Sequence, residues 1–248
     1  MNLAIRHMSF RFEHAGLTDT GLQRTHNEDS ILMMPDQGLF VICDGMGGHA
    51  SGAVASSMAV KTIADAFLAG QFTPPEEPLV TAILAANAAV HQRSVSDPQC
   101  HNMGTTVVAV RLEGDNAHLC HVGDSRIYRL RGEELSQITR DHSLINLYAD
   151  RPEYVGKLGP AHSNIIVRAV GLHEHVEVEH TVMPLESGDL LLLCSDGLID
   201  MVDDWMVREM VTSGDEIETL VANLVRAANA NGGSDNVSVI LVRAQPEG

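Results

Sequence analysis

Six acidic side chains share one setting: each stands at an end of a short apolar run, and small residues flank most of them. The six are Glu28, Asp29, Asp44, Asp124, Asp196 and Asp235. A single Asp–Gly pair is an ordinary turn sequence. If the ends of these runs meet at one end of a sheet, however, the carboxylates repel one another strongly unless cations neutralise them. Carboxylate oxygens suit Mg²⁺ or Mn²⁺, so the pattern predicts a metal site.

The glycines beside these acids fit the same interpretation. Asp44 is followed by GMGG at 45–48, and Asp196 is followed by Gly197. A residue without a side chain lets the backbone come close to a ligand. We therefore expect the glycines to bring a backbone carbonyl to the metal and to leave room for water and substrate.

The runs that carry these acids are typical of β-strands, since they are rich in Val, Ile and Leu and are bounded by Gly, Asp or Asn. Short links, EGDN at 113–116 and GDS at 123–125, predict that the strands on either side are antiparallel neighbours. The predicted strands are 30–34, 39–43, 105–112, 117–122, 126–130, 190–194 and 237–244.

Three helical segments separate these groups of strands. Residues 52–70 and 79–95 are rich in Ala with apolar residues at helical spacing, and residues 216–233 combine an acidic start with an Asn-Gly-Gly end. Strands grouped in hairpins with helices in separate blocks predict an α+β fold. Residues 141–165 show no clear period, and a long irregular segment of this kind is often a functional lid.

Composition narrows the class of protein. The 248 residues suffice for one large domain or two small ones, and a formal net charge of -17 argues against binding to nucleic acid or to an anionic membrane. The four cysteines lack a CxxC pair, so we expect reduced core residues. Neither a signal peptide nor an apolar stretch of ~20 residues is evident, which predicts a cytoplasmic protein.

A dinucleotide-binding motif is the first alternative. GMGGHA at 45–50 matches G-x-G-x-x-A after a strand, and Asp65 lies about twenty residues further on. Asp65, however, falls inside a helical pattern rather than after a second strand, and Asp44 would direct negative charge at the pyrophosphate. Both features argue against this alternative.

Taken in order along the chain, the motifs resemble the metal-dependent, type 2C protein phosphatases, in particular the bacterial branch. The resemblance spans about residues 14–244. It rests on GLQRTHNEDS (21–30), VICDGMGGHASG (41–52), GTT (104–106), HVGDSRIYRL (121–130), TRDHSL (139–144), CSDGL (194–198) and SDNVSVILV (234–242).

The resemblance implies a four-layer αββα sandwich of two antiparallel sheets flanked by helices, formed by residues 1–248 as a single catalytic domain with a flap at about 143–167. It also implies a centre for two Mn²⁺ or Mg²⁺ ions. Asp44 would bridge the two ions, and Gly45 would offer its carbonyl to one of them. Asp196 and Asp235 would bind the other ion.

The remaining site residues are also carried over from the family. Glu28 and Asp29 would hold metal-bound waters, directly or through a further contact, and Asp124 with Asp196 matches a third, weaker metal site. Arg24 matches the arginine that grips the substrate phosphate, and its planar, permanently charged group suits that role. Asn236 would support the last metal ligand.

The general acid is the role that this sequence leaves open. Some relatives place a histidine directly after the Asp-Gly pair, where this chain has Met46, which cannot donate a proton. His49 is a catalytic candidate that could equally orient its loop, and His26 is expected to be structural. The other histidines, among them His118 and His121, show no Cys or His partner set for zinc in the sequence, so none of them is expected to be a metal ligand.

The function that follows is hydrolysis of phosphoserine and phosphothreonine in proteins by a metal-activated bridging water. We expect phosphorylated protein substrates, a cognate Ser/Thr kinase and a free-standing monomer. Two alternatives keep the same fold: a catalytically silent binding module, which typically lacks metal-binding acids, and a phosphatase for antagonists of anti-sigma factors.

Overall fold

The computed structural model describes residues 10–47, 51–73, 77–149, 151 and 165–246, and these form eleven strands and six helices. The strands are β1 (Phe10–Asp19), β2 (Asp29–Met34), β3 (Leu39–Met46), β4 (Gly104–Thr105), β5 (Val107–Glu113), β6 (Asn116–Val122), β7 (Arg126–Arg131), β8 (Glu134–Gln137), β9 (Glu179–Pro184), β10 (Leu190–Cys194) and β11 (Val237–Pro246). The helices are α1 (Ser51–Ala69), α2 (Pro78–Ser96), α3 (Leu144–Tyr148), α4 (Asp196–Ile199), α5 (Asp204–Val211) and α6 (Ile217–Ala230).

The strands form two antiparallel sheets. Sheet one has the order β1-β11-β10-β7-β8, and sheet two has the order β2-β3-β5-β6-β9 with the short β4 paired to β3. The two sheets face each other, with α1 and α2 covering sheet two and α4, α5 and α6 covering sheet one. The four-layer αββα sandwich is therefore confirmed.

Alternation along the central strands produces the layers. On β11, Ile240 and Val242 point into the space between the sheets, while Val239 and Leu241 pack against the helices of sheet one. The side chains of β3 alternate in the same way, and Phe40 faces the other sheet. Successive strand residues point to opposite faces, and here both faces are buried. This is why these strands read as continuous apolar runs rather than as an alternating pattern.

The predicted strands and helices occur with ends that move by a few residues, except that the strand predicted at 105–112 is divided into β4 and β5. The sequence prediction missed β1, β8, β9 and the helices α3, α4 and α5. It also predicted, wrongly, that the strands on either side of GDS (123–125) are antiparallel neighbours. β6 belongs to sheet two and β7 to sheet one, so residues 123–125 carry the chain from one sheet to the other. The short link reflects the close packing of the sheets at this end.

The predicted lid is described only in part. Residues 144–148 form the short helix α3, and Ser143 and Ile166 make an isolated bridge. Residues 150 and 152–164 lie outside the described residues. All four cysteines are free and buried, as expected.

The helix α1 is, by length and apolar composition alone, the one helix in the described part of the chain that could cross a membrane. The sequence analysis predicted a helix here but no apolar stretch long enough to span a membrane. In the fold α1 packs against α2, β2 and β3, and it buries Ala55, Ala59, Ile63 and Phe67. These contacts are those of a core helix in a layered domain.

Candidate metal centre

Neighbouring strands of sheet two bring the first two acids together. Asp29 at the start of β2 lies opposite Asp44 near the end of β3 in the antiparallel register. The GTT motif holds the backbone of Asp44, whose carbonyl accepts hydrogen bonds from the Thr106 amide (2.8 Å) and the Thr105 hydroxyl (2.8 Å). Asp44 in turn donates its amide to Thr106 Oγ1 at 3.0 Å. These bonds fix the position from which the Asp44 carboxylate emerges.

Asp29 connects the two sheets. Its Oδ2 accepts hydrogen bonds from Ser195 Oγ (2.8 Å) and Ser238 Oγ (2.6 Å). Ser195 follows β10 directly and Ser238 lies on β11, so both hydroxyls come from sheet one. The carboxylate of Asp29 therefore ties sheet two to sheet one beside the acids that follow those strands.

The pKa shifts show how closely the acids are grouped. Burial raises the pKa of Asp44 well above its ordinary value, and the neighbouring charges of Asp29, Asp196, Asp124 and Asp235 raise it further. Burial also raises the pKa of Asp196 to about 8, with Asp124 and Asp235 the largest charge contributions. Like charges gathered out of water disfavour ionisation. Five aspartates that the sequence places far apart thus share one electrostatic site.

Three of these aspartates have a buried carboxylate oxygen that makes no hydrogen bond within the described ranges. Oδ1 of Asp29, of Asp124 and of Asp196 is buried and has no hydrogen-bond partner among the described residues. A buried carboxylate oxygen left unpaired is costly unless a cation or water satisfies it. The all-oxygen donor set and the mutual repulsion both fit Mg²⁺ or Mn²⁺.

Asn236 anchors the loop that carries Arg24 and Glu28. Its Nδ2 donates to the carbonyls of Thr20 and His26 (2.9 Å each), and its Oδ1 accepts from the Glu28 amide (2.8 Å). Through its backbone carbonyl, His26 therefore helps to hold the loop. Burial raises the pKa of Glu28, while the positive charge of Arg24 opposes that shift.

Arg24 lies at the solvent-exposed side of the site. Its Nη2 donates to Asp235 Oδ2 at 2.6 Å, and its Nε lies 3.4 Å from the carbonyl of Ser234. About half of its side chain is exposed. The guanidinium is thus placed at the acidic cluster and remains accessible to an incoming anion.

The two Asp-Gly pairs require glycine for a packing reason that the sequence analysis did not give. A Cβ on Gly45 would lie 2.1 Å from the carbonyl oxygen of Gly52, and a Cβ on Gly197 would lie 1.9 Å from that of Asn236. Both glycines let another backbone segment pack directly against the acid's turn. Close backbone packing is therefore sufficient to require glycine at these two positions.

A cleft of about 460 Å³ opens beside the cluster, large enough for a phosphorylated side chain. Its lining includes Asp124, Asp196 and Asp200 together with residues of the segment from Gln137 to Asn146. Asp200 raises the pKa of Asp196. Sequence reasoning missed Asp200, although its spacing of four residues from Asp196 across the short helix α4 was a usable signal.

His142 supports residues 123–125, the segment that contains Asp124 and carries the chain from one sheet to the other. Its Nδ1 accepts the amide of Gly123 at 3.0 Å, so its Nε2 carries the proton and donates to Glu179 Oε1 at 2.8 Å. The ring of His121 stacks on it, with centroids 4.6 Å apart. Burial lowers the pKa of His142. Sequence reasoning gave His142 no role, because Glu179 is 37 residues away.

The structure brings together the site residues proposed from the sequence, with one exception. Glu28, Asp29, Asp44, Asp124, Asp196 and Asp235 gather at one end of the sandwich with Arg24 and Asn236 beside them, whereas His49 lies outside the described residues. Asp65 falls within α1, where Lys61 pairs with it. It therefore does not follow a second strand, which agrees with the rejection of a dinucleotide site.

Comparison with known proteins places this arrangement in a family. The family model described as "Protein phosphatase 2C" matches residues 22–241. The chain is similar to protein phosphatase PhpP of Streptococcus pneumoniae, with 36% identity over 93% of this chain and 97% of that one. It is equally similar to the serine/threonine phosphatase stp of Listeria monocytogenes, with 36% identity over 91% and 93%.

Solved structures agree with the sequence matches. The serine/threonine phosphatase Stp1 from Staphylococcus aureus superposes with a TM-score of 0.85 at 32% identity, covering 99% of this chain and 100% of that chain. The catalytic domain of the phosphatase PstP, solved in complex with two manganese ions, superposes with a TM-score of 0.83 at 34% identity, covering 94% and 98%.

Proposed function

Because the chain belongs to the protein phosphatase 2C family, we propose that the acidic cluster at the end of its sandwich is where it hydrolyses phosphoserine and phosphothreonine residues of proteins. The chain is a metal-dependent serine/threonine protein phosphatase of the bacterial type. One observation carries the assignment to this site: three clustered aspartates each leave a buried oxygen without a hydrogen-bond partner in the described part of the chain.

The cluster would hold two Mn²⁺ or Mg²⁺ ions. Asp44 and the carbonyl of Gly45, together with Asp196 and Asp235, are the proposed ligands, and Asp124 with Asp196 would serve a third ion. When bound, such ions neutralise phosphate charge and activate a water for attack on phosphorus. Clustered acids with raised pKa values support this set, because cations relieve their repulsion.

The chain's own residues would position the substrate and the acids. Arg24 would exchange part of its contact with Asp235 for two phosphate oxygens, as its exposure and fixed charge allow. Glu28 and Asp29 would hold waters beside the ions, with Asp29 kept in place by Ser195 and Ser238. Asn236 would keep the Arg24 loop against β11. His49 stays a candidate for protonating the leaving oxygen.

Hydrolysis of a phosphothreonine peptide tests the assignment. Chelator-treated protein should be inactive and should regain activity when Mn²⁺ or Mg²⁺ is added. Asp44→Asn should stay inactive under both conditions while keeping its circular dichroism spectrum. Full activity of Asp44→Asn would overturn the site, and folded wild-type protein that is inactive with either metal would favour the silent binding module.

We further propose a single catalytic domain over residues 1–248, acting in the cytoplasm as a monomer on proteins phosphorylated by a cognate Ser/Thr kinase. The common core between the two sheets supports one domain. The strong negative charge supports protein substrates rather than nucleic acid. A sedimentation experiment on the purified chain would test the monomer.

A further inference from the structure

A second group of ligand-type side chains lies on the helix-covered face of sheet two. One ligand atom from each of Glu77, Cys120 and His180 lies within 4.8 Å of the other two. The ring of His118 stacks on that of His180, with centroids 5.5 Å apart. The acids described above follow or begin strands at the end of the sandwich, whereas Cys120 lies within β6.

Three separate elements supply this group. Cys120 on β6 pairs with His180 on the edge strand β9, which brings the thiol and the imidazole side by side on one face. Glu77 is the N-cap of α2, and its Oε2 accepts the Val80 amide at 2.8 Å. The cap therefore fixes the Glu77 carboxylate above the two strand residues.

One carboxylate oxygen of Glu77 makes no hydrogen bond to the described residues and is available to a cation. Oε1 of Glu77 and Nδ1 of His118 are both buried and have no hydrogen-bond partner within the described ranges, and they lie 3.5 Å from each other. Because Oε2 is already used by the cap, Oε1 is the oxygen that remains for a ligand. Cys120 is fully buried, whereas His180 is exposed, so the group has one side open to solvent.

The local charge does not oppose a cation. Arg111 is the nearest cationic side chain, 3.9 Å from Glu77 Oε1, but two hydrogen bonds of 3.2 and 2.9 Å hold its guanidinium on Glu113. The imidazole of His118 lies 3.5 Å from Glu77 Oε1 and 3.5 Å from Glu113 Oε2, and burial lowers its pKa. The two carboxylates thus face one guanidinium and one imidazole that burial keeps from charging.

Another group of possible metal ligands, His121, His142 and Glu179, is less suited to a cation. Both nitrogens of His142 are already bonded, and the guanidinium of Arg168 lies 3.4 Å from Glu179. That group is a hydrogen-bonded support for the Asp124 turn rather than a metal site.

We propose that Glu77, Cys120 and His180 form a second metal site, distinct from the acidic centre and selective for Zn²⁺. A thiolate with an imidazole and a carboxylate is a donor set of zinc, whereas Mg²⁺ and Mn²⁺ favour oxygen ligands alone. Rotation of the exposed His180 ring would bring its nitrogen to bonding distance. Binding would release the Cys120 thiol proton to solvent as the metal–sulfur bond forms.

The bound ion would tie the edge strand β9 to the start of α2. Among the described elements β9 pairs only with β6, and five of its six residues are exposed. A three-ligand site leaves one position for water, and the exposed side of the group provides it.

Cobalt spectroscopy of the full chain tests the proposal. Metal-free protein is given excess Mg²⁺ to occupy the oxygen-ligand centre and is then titrated with Co²⁺. A thiolate ligand produces a sulfur-to-cobalt charge-transfer band in the near ultraviolet, which carboxylates do not produce. We expect this band to saturate at one Co²⁺ per chain and to be lost when one equivalent of Zn²⁺ is added.

Variants assign the band to these residues. Cys120→Ala should abolish it, while Cys100→Ala, which removes another buried thiol, should keep it. His180→Ala changes an exposed side chain and should weaken Co²⁺ binding at least about tenfold with the fold intact. Absence of the band in the wild type, or its persistence in Cys120→Ala, would overturn the site.

Discussion

Asp196 lies among other buried aspartates, and the described residues do not neutralise their combined negative charge. Burial and the charges of Asp124 and Asp235 raise its pKa to about 8, and its Oδ1 has no hydrogen-bond partner among the residues described. A residue held in this way costs stability in the absence of metal. Such costs are typical of functional sites, where activity and stability compete.

Asp196→Asn should therefore change stability and activity in opposite directions. Removing one charge from the cluster should stabilise the metal-free protein by on the order of 1 kcal/mol at pH 8, while phosphopeptide hydrolysis should fall at least about a hundredfold. Urea unfolding in chelator and a steady-state assay with Mn²⁺ measure the two effects. A metal-free variant less stable than the wild type would contradict the charge argument.

Arg24→Ala should weaken substrate binding more than it weakens the fold. The exposed guanidinium contacts only Asp235 and the Ser234 carbonyl among the described residues. We expect kcat/KM for a phosphothreonine peptide to fall about tenfold or more, since a charge-assisted phosphate contact is lost. Arg24→Lys should recover only part of the loss, because lysine lacks the planar fork.

Arg11→Ala is the matched control for Arg24→Ala, because Arg11 is an exposed arginine on β1 that pairs with Gln245 and Glu13. Equal losses of kcat/KM in the two variants would remove Arg24 from the site.

At the scale of elements, the turn between β6 and β7 decides where Asp124 lies. Gly123 has a φ of 112°, a value that favours glycine, and its amide is held by His142. His142 comes from the segment after β8, and Glu179 on its other side begins β9. Two elements distant in sequence, the segment after β8 and the strand β9, thus hold this turn.

His142→Ala should loosen this turn. The Gly123 amide would lose its buried acceptor, at a cost of about 1–3 kcal/mol in unfolding free energy. His142→Asn is the matched control, since an asparagine oxygen can take the place of Nδ1 and should restore most of that stability. Urea unfolding separates the two variants, and equal destabilisation by both would show that the Gly123 bond is not the cause.

At the scale of the whole molecule, the centre joins the two sheets. Asp29 and Asp44 belong to sheet two, whereas Asp196 and Asp235 adjoin β10 and β11 of sheet one. Ions held between them would bind only the folded arrangement, so metal should raise the stability of the entire sandwich.

The benefit of metal should grow with pH. The pKa values of Asp29 and Asp124 are raised to about 6 and that of Asp196 to about 8, all above the value of about 4 for a free aspartate. The folded protein without metal therefore binds more protons than the unfolded chain. The contribution of these groups is present below pH 4 and is lost as pH rises through 6 to 8.

Thermal unfolding between pH 6 and pH 8.5 measures this effect. In chelator the unfolding temperature should fall across this range, and with Mn²⁺ it should fall less. Asp196→Asn should flatten the fall in chelator. An unfolding temperature that rises with pH in chelator would contradict the assigned pKa shifts.

The sequence by itself determined the central strands, the three long helices and the acids at the strand ends. Continuous apolar runs such as 190–194 fix buried strands because their residues have two covered faces to fill. The acids and glycines at their ends lie next to those runs, so the six acids could be singled out from local order, whereas Arg24, Asn236 and the individual ligand roles came from the family resemblance. β1 escaped prediction because polar residues interrupt it, and only its pairing with β11 makes it a strand.

The tertiary structure alone decided how distant residues meet. The sequence could not show that β6 and β7 belong to different sheets, since a three-residue link fits a hairpin equally well. Nor could it place Cys120 beside His180 and Glu77, because strand register and a helix cap bring together residues 43 and 60 positions apart. Side-chain types are local properties of a chain, whereas contacts between them depend on the packing of the whole.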